Sequence, residues 1–247
     1  MLSVSLIAAF PELAEHALDY GVTGRAMKLG LWRYQGFALH RFATDARKSI
    51  DARPAAGGPG MVLVSAPLDA ALSNARAWHG EPTTVVFLSP DGAPLVQSQV
   101  QTLAAAKHLT FVAGRYEGID QRWIDANVNL IVSIGDYVLS GGELPAAVVI
   151  DSCVRLLPGA LGDHESATFE SFTAGKLDWP QYALAAGVAS DEIPAELAGG
   201  NHAAITRWRV KQALTRTWMR RPDLLARAKL SPEELAVIDE ITVQSKA

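Results

Sequence analysis

The sequence predicts an α/β fold in which a parallel sheet carries helices on both faces, followed by a small all-helical domain. Short apolar runs rich in β-branched residues alternate with stretches of helical period. The apolar runs are continuous rather than alternating, as in strands that are covered on both faces. The end of the chain has helical periodicity only. With 247 residues, 49% of them hydrophobic, the chain can form one large core and a smaller second domain.

Each predicted element follows from this alternation. Strands are expected at 4–10, 61–65, 84–88, 109–113 and 128–134. Helices are expected between them at 67–78, 97–107, 117–126 and 143–157. Segment 44–60 contains charges and a glycine-rich turn but no periodicity, which is typical of a functional lid or a mobile loop.

A second break, rich in Gly, Pro, Asp, Glu and Ser, precedes the end of the chain. After it, apolar residues recurring every four positions predict a helix over 203–220. Pro222 begins a short helix, and a cap residue followed by Pro and two acids at 231–234 begins the last one. We therefore expect an α/β domain over 1–160, a linker over 161–200 and a helical domain over 201–247.

Charge is divided unevenly along the chain. The net charge is −4, from 22 basic and 26 acidic residues. Between Asn201 and Leu230, eight basic residues stand against one acid, so this segment carries +7 and the remainder −11. Because clustered Lys and Arg bind phosphate backbones, the basic segment is expected to bind nucleic acid.

Composition and missing motifs exclude several classes of protein. A single cysteine, Cys153, forms no internal disulfide and indicates a reducing, cytoplasmic location. No apolar run approaches the roughly 18 residues of a membrane-spanning helix, so no membrane association is expected. The P-loop, dinucleotide and nucleophile-elbow motifs are absent. The six histidines are scattered, so no transition-metal site is predicted.

Two glycine-rich segments are the most informative motifs. GRYEGIDQRW (114–123) and SIGDYVLSGGELP (133–145) each follow a predicted strand and lead into a predicted helix. Ligands of open α/β sheets bind at the carboxyl ends of strands, and glycines let the backbone approach them closely. The alternative is that Gly135, Gly141 and Gly142 only form tight turns.

At these residues the chain resembles the bacterial tRNA (guanine-N1)-methyltransferase family. The resemblance runs in order from residue 1 to about residue 230. Besides the two segments above, it is carried by FPE (10–12), GVTGRA (21–26), GGPGM (57–61), LSP (88–90) and GNHAAITRWR (200–209). It implies a SPOUT-superfamily homodimer, with the active site between subunits and a trefoil knot ending the sheet. S-adenosylmethionine would be the methyl donor, magnesium would be required, and the acceptor would be N1 of the guanosine at tRNA position 37, just 3′ of the anticodon.

The resemblance also implies a cofactor site. Backbone groups would bind the adenine, Tyr137 and Leu139 would form apolar walls, and Glu117 would face the cationic end of the cofactor or magnesium. For Glu117 the alternative is a plain carboxylate at a helix start. The expected cofactor-binding residues are Leu88, Ser89, Pro90, Gly114, Arg115, Tyr116, Glu117, Gly118, Ser133, Ile134, Gly135, Asp136, Tyr137, Val138, Leu139, Gly141, Gly142 and Pro145.

Methylation at N1 requires a base and a stabilising cation, since N1 of neutral guanine carries a proton and negative charge gathers on O6. The resemblance assigns the base to Glu170, where the family has Asp, and the cation to Arg155. The longer side chain of Glu moves the carboxylate by ~1 Å, a displacement that can cost about 10² in rate.

The resemblance assigns the basic module to tRNA, whereas Trp208 and Trp218 are expected to pack in the protein. The expected substrate-binding residues are Asp51, Arg53, Asp178, Arg207, Arg209 and Lys211. Two alternatives stay open: a catalytically impaired RNA-binding paralogue, and a SPOUT methyltransferase acting on a different RNA base.

Overall fold

The structure, a computed structural model, describes residues 1–162, 170–183 and 193–244. The chain divides into two compact units, Met1–His164 and Glu165–Ala247. The linker predicted over 161–200 lies partly outside the described residues, so the predicted domain limits stay a prediction. Within the described ranges, no helix is both long enough and apolar enough to cross a membrane.

The strands of the first unit are β1 (Leu2–Ala8), β2 (Trp32–Ala38), β3 (Asp51–Ala52), β4 (Val62–Leu63), β5 (Thr84–Pro94), β6 (His108–Ala113) and β7 (Leu130–Ser133). Five of them form a parallel sheet in the order β2-β1-β6-β5-β7. A separate antiparallel pair joins β3 to β4. The helices are α1 (Glu12–Leu18), α2 (Gly21–Lys28), α3 (Ser65–His79), α4 (Gln97–Ala104), α5 (Gln121–Asn127) and α6 (Glu143–Val154).

Helices cover both faces of this sheet. In β6, Phe111 packs on one face with residues of α1, α2, α4 and α6, while Val112 packs on the other with residues of α3 and α5. Successive strand residues point to opposite faces, so a strand between two helical layers is apolar throughout. The α/β prediction, with a parallel sheet, is therefore confirmed.

Several predicted elements need correction. The run at 61–65 does not join the parallel sheet: Leu63 is buried because it packs with Trp123 and Ile119, and its strand pairs with β3. The helix predicted over 117–126 begins at Gln121, since Gly118 has a positive φ and the Asp120 side chain caps the helix by accepting from Arg122 N.

The first unit also contains elements that the sequence did not indicate. These are the edge strand β2, which mixes polar and apolar residues, and the short helices α1 and α2. In β5 the pairing shifts, because Val132 faces both Leu88 and Ala93. The extra residues between them form an irregular bulge, which explains why β5 runs past the predicted end at residue 88.

In the second unit, residues 170–183 form turns and loops, and the helices lie from residue 195 onward. Its helices are α7 (Ala195–Ala198), α8 (His202–Arg220), α9 (Pro222–Leu225) and α10 (Pro232–Gln244). Asn201 caps α8 by accepting from the backbone N–H groups of Ala203 and Ala204. Leu214, Val237 and Ile241 form the buried core between α8 and α10.

Candidate active site

A cavity of about 240 Å³ lies at the carboxyl ends of β5, β6 and β7. This is the edge of a parallel sheet at which ligands bind. The cavity is lined by Phe87, Leu88, Ser89, Pro90, Gly114, Arg115, Tyr116, Glu117, Gly118, Val132, Ser133, Ile134, Gly135, Tyr137, Val138, Leu139, Ser140, Gly141, Gly142 and Pro145.

The lining contains every residue predicted to bind cofactor except Asp136, which is exposed on the loop after β7. Sequence reasoning missed Phe87, Val132 and Ser140. The first two lie in the strands that lead into the cavity, and Ser140 stands between two predicted residues. Their signals were position at the end of a predicted strand for Phe87 and Val132, and position within the second glycine-rich segment for Ser140. The structure thus brings three separate sequence segments around one space.

Close backbone contacts shape the wall that leads into α6. Gly142 donates from its N–H to the carbonyl of Gly114 at 2.9 Å. A Cβ atom at Gly142 would lie 2.8 Å from Cα of Ala113, a backbone contact that cannot be relieved by a side-chain movement. The φ of Gly142 is −85°, which any residue adopts, so space alone requires glycine here.

The loop after β7 requires glycine for a second reason. Gly135 has a φ of +151°, and a Cβ atom there would lie 2.5 Å from the ring of Tyr137. Ser133 Oγ accepts from Gly135 N at 3.2 Å and donates to Gly135 O at 3.1 Å. The turn is therefore fixed by its own side chain, and Tyr137 and Leu139 follow it as exposed apolar groups at the cavity.

The glycine-rich end of segment 44–60 packs against another wall. Glu117 N donates to Met61 O at 2.9 Å, and Leu63 N donates to Gly118 O at 3.0 Å. Gly60 has a φ of +84°, and a Cβ atom there would overlap the carboxylate of Glu117. Asp51 of β3 pairs with Leu63, which connects it to this loop, whereas Arg53 is exposed beyond it.

The predicted catalytic residues lie in different units. Arg155 follows α6 directly and is half-buried in the first unit. Glu170 is half-buried in the second unit, where its carbonyl accepts from Thr173 N at 3.3 Å. Their assignment as base and cation stays a prediction.

The second unit contains the other predicted substrate residues. Asp178 accepts from Ser171 Oγ at 2.9 Å. The guanidinium of Arg209 stacks 4.9 Å from the ring centroid of Trp179. Arg207 lies 3.6 Å from Glu240 on an exposed surface, and Lys211 is half-buried in α8. These side chains remain predicted RNA contacts.

The packing interpretation of the two tryptophans is confirmed. Trp208 is buried and makes an edge contact with Tyr182, with the ring centroids 6.1 Å apart. Trp218 packs against the core formed by Leu214, Val237 and Ile241. Both indole rings therefore pack within the second unit.

The cavity suits an adenosine-type ligand, since apolar side chains form its walls and glycine backbone supplies hydrogen-bonding groups at its edge. No group of three His, Cys, Asp or Glu side chains within residues 1–162, 170–183 and 193–244 is placed to hold a metal ion.

Residues 2–227 match the family described as tRNA (Guanine-1)-methyltransferase TrmD. Proteins named tRNA (guanine-N(1)-)-methyltransferase from Enterobacter sp. and Methylococcus capsulatus are 48% and 49% identical to the chain. The alignments cover 96% and 95% of this chain, and 93% and 94% of those proteins. The protein of that name from Pseudomonas fluorescens is 48% identical over 97% of this chain and 96% of its own length.

The chain belongs to this family. The predicted resemblance and the predicted enzyme class, a tRNA (guanine-N1)-methyltransferase, are thereby confirmed. Membership of a methyltransferase family implies S-adenosylmethionine as methyl donor.

Proposed function

We propose that this chain transfers a methyl group from S-adenosylmethionine to N1 of the guanosine at position 37 of tRNA. The observation that carries the proposal is the cavity at the ends of β5, β6 and β7, lined by the glycine-rich segments of the family motifs. The protein would act in the cytoplasm, as a SPOUT-superfamily homodimer whose sheet ends in a trefoil knot.

In the proposed mechanism, separate residues of the chain bind the cofactor, remove the proton and stabilise the negative charge. The backbone of Gly114, Gly135 and Gly142 and the side chains of Leu88 and Leu139 would hold the cofactor, which supplies an electrophilic methyl group. Glu170 would take the N1 proton of guanine, and Arg155 would stabilise the negative charge on O6. Magnesium, which the family resemblance implies, would assist the transfer, and the assay below therefore includes it as a variable.

Exposed apolar side chains support the homodimer. Leu144 and Val148 lie one turn apart on α6 and are half-exposed, as is Leu13 on α1, which packs against α6. Exposed apolar groups on packed neighbouring helices are typical of a protein interface. Sedimentation of the purified protein across a range of concentrations tests the proposed association.

The decisive experiment measures transfer of labelled methyl from S-adenosylmethionine to two tRNA transcripts, with guanosine or adenosine at position 37, with and without magnesium. Label on the guanosine transcript alone supports the proposed function. Cofactor binding without label on either transcript would favour the impaired RNA-binding paralogue. Label at another nucleotide, located by mapping, would favour the different RNA base.

The base assignment is tested by Glu170→Gln, which keeps the size of the side chain and removes its basicity. We expect methyl transfer to fall by about 10²- to 10⁴-fold, the usual contribution of a general base, while cofactor binding stays intact. Glu170→Asp restores the family's residue and should retain activity. Glu233→Gln, an exposed acid in the first turn of α10, is the matched control. An active Glu170→Gln enzyme would contradict the assignment.

A further inference from the structure

Glu143, the first residue of α6, is unusual for a glutamate at a helix start. Such carboxylates are normally exposed and interact with the helix dipole through solvent. The Glu143 residue is instead 1% exposed. Because burying a carboxylate is costly unless it is paired, its partners indicate what it is for.

One oxygen of Glu143 connects three segments of the chain. Its Oε1 accepts from Arg115 Nε at 2.8 Å and from the backbone N–H of Phe10 at 3.3 Å. Arg115 follows β6, Phe10 follows β1, and Glu143 itself begins α6. The other oxygen, Oε2, has no hydrogen-bond donor within the described residues.

Arg115 contacts both Phe10 and Glu143, while its terminal nitrogens remain without a partner among the described residues. Its guanidinium lies 4.7 Å from the ring centroid of Phe10, and its Nε is bonded to Glu143. Its terminal Nη atoms make no hydrogen bond with any described residue, and Arg115 lines the cavity. A guanidinium fixed in this way presents free N–H donors to a bound ligand.

The part of the cavity wall that contains Gly141 packs against the ion pair of Arg115 and Glu143. A Cβ atom at Gly141 would lie 2.5 Å from Glu143 Oε2 and 3.0 Å from Arg115 Cζ. The ion pair therefore packs directly behind the turn that closes the cavity. Moving either side chain would change both the wall and the direction of the free donors.

We propose that Glu143 is a positioning residue that holds Arg115 so that its Nη donors bind an oxygen anion of the ligand in the cavity. This inference rests on the proposed function. The anion is either the carboxylate of the cofactor's amino-acid end or a phosphate of the RNA, and both would be bound by the same planar donors.

The test measures the affinity of S-adenosylhomocysteine by calorimetry without RNA, and separately the KM for tRNA. We expect Glu143→Gln to weaken one of the two by roughly ten- to a hundredfold, the usual effect of losing a charge-assisted hydrogen bond. A change in S-adenosylhomocysteine affinity assigns the anion to the cofactor. A change confined to the KM for tRNA assigns it to RNA.

A double-mutant cycle separates positioning from a general structural role. Because Glu143 is inferred to act through Arg115, Glu143→Gln combined with Arg115→Gln should bind no more weakly than Arg115→Gln alone. Fully additive effects would overturn the proposal. The exposed Glu15→Gln on α1 is the matched control and should behave as the wild type.

A second variant covers the case in which Glu143→Gln does not fold. Arg115→Lys keeps the positive charge but lacks the planar fork, so it should lose the same ligand interaction while its melting temperature stays near that of the wild type. Unchanged binding in Arg115→Lys would overturn the inference. A wild-type protein that fails to bind S-adenosylhomocysteine at all would instead contradict the proposed function.

Discussion

The two ends of the parallel sheet use polar groups in opposite ways. At the amino ends, Ser3 Oγ and Ser5 Oγ lie 3.0 and 3.1 Å from the two ring nitrogens of His79. Ser5 also donates to Thr110 Oγ1 at 2.9 Å. At the carboxyl ends, glycine loops border a cavity, and Arg115 keeps donors unused by the described residues.

We infer from this difference that the amino ends of the strands contribute to stability and the carboxyl ends to ligand binding. Polar groups that satisfy one another inside the protein fix the positions of strands and leave nothing for a ligand. Polar groups that border a cavity remain available to a ligand. Changes at the amino end should therefore alter the free energy of unfolding, and changes at the carboxyl end should alter affinity and turnover. Four experiments test this division between the two ends of the sheet.

The largest effect is expected for Gly142→Ala at the carboxyl end. The added Cβ would lie 2.8 Å from Ala113 Cα, so the wall must move away from Gly114. We expect kcat/KM for methyl transfer to fall at least about a hundredfold, as for other displacements of ~1 Å at an active site. Gly162→Ala, where the nearest atom is 3.9 Å away, is the control. Equal activity of the two variants would contradict the steric argument.

The amino end is tested by His79→Ala. The substitution leaves a cavity and removes the shared partner of Ser3 and Ser5. We expect the free energy of unfolding, measured with denaturant, to fall by about 2–3 kcal/mol. Affinity for S-adenosylhomocysteine in the folded variant should stay within about twofold of the wild type. His16→Ala on the exposed face of α1 is the control. A loss of affinity for S-adenosylhomocysteine without a loss of stability would contradict the assignment of this end of the sheet to stability.

Sequence reasoning succeeded where local patterns carry the information. Glycine-rich segments directly after apolar runs predicted the cavity at the strand ends. Continuous apolar strands predicted a sheet covered on both faces. The apolar stripe after residue 202 predicted α8 to within one residue of its observed start. Each of these signals lies within a few positions of the feature that it predicts.

The failures concern features set by distant parts of the chain. In the strand expected at 61–65, Leu63 is buried against residues of α5 and the strand lies outside the parallel sheet. An apolar run alone does not identify the residues that pack on it. The bulge in β5 depends on its pairing with Val132. The burial of Glu143 depends on Arg115, which lies 28 positions away. A charged residue at a helix start gives no local sign of such a partner.

The pH dependence of stability tests the amino end without a mutation. Burial lowers the pKa of His79 from 6.5 to about 4, and the electrostatic influence of His108 and Arg33 is next in importance. Between these values the unfolded chain binds more protons than the folded one, so stability is lost as the pH falls through this range. His79 should contribute a loss of about 2 kcal/mol in the free energy of unfolding between pH 7 and pH 5.

His79→Gln provides the comparison for that titration. Glutamine retains hydrogen-bonding capacity but does not titrate, so the unfolding curves of this variant should depend less on pH over the same range. The contribution assigned to His79 is the difference between the two pH profiles. Identical profiles for wild type and variant would show that another group controls the acid sensitivity.

The smallest effects come from a matched pair of hydroxyl deletions, Ser133→Ala and Ser5→Ala. Ser133 holds the turn at Gly135 beside the cavity, whereas Ser5 bonds to His79 and Thr110 inside the protein. Each change removes hydrogen bonds worth about 1 kcal/mol. For Ser133→Ala we expect that loss as weaker binding of S-adenosylhomocysteine, by about fivefold. For Ser5→Ala we expect it in the free energy of unfolding alone. The two proteins are compared in both assays, and an exchange of these outcomes would mean that the division between the two ends of the sheet is wrong.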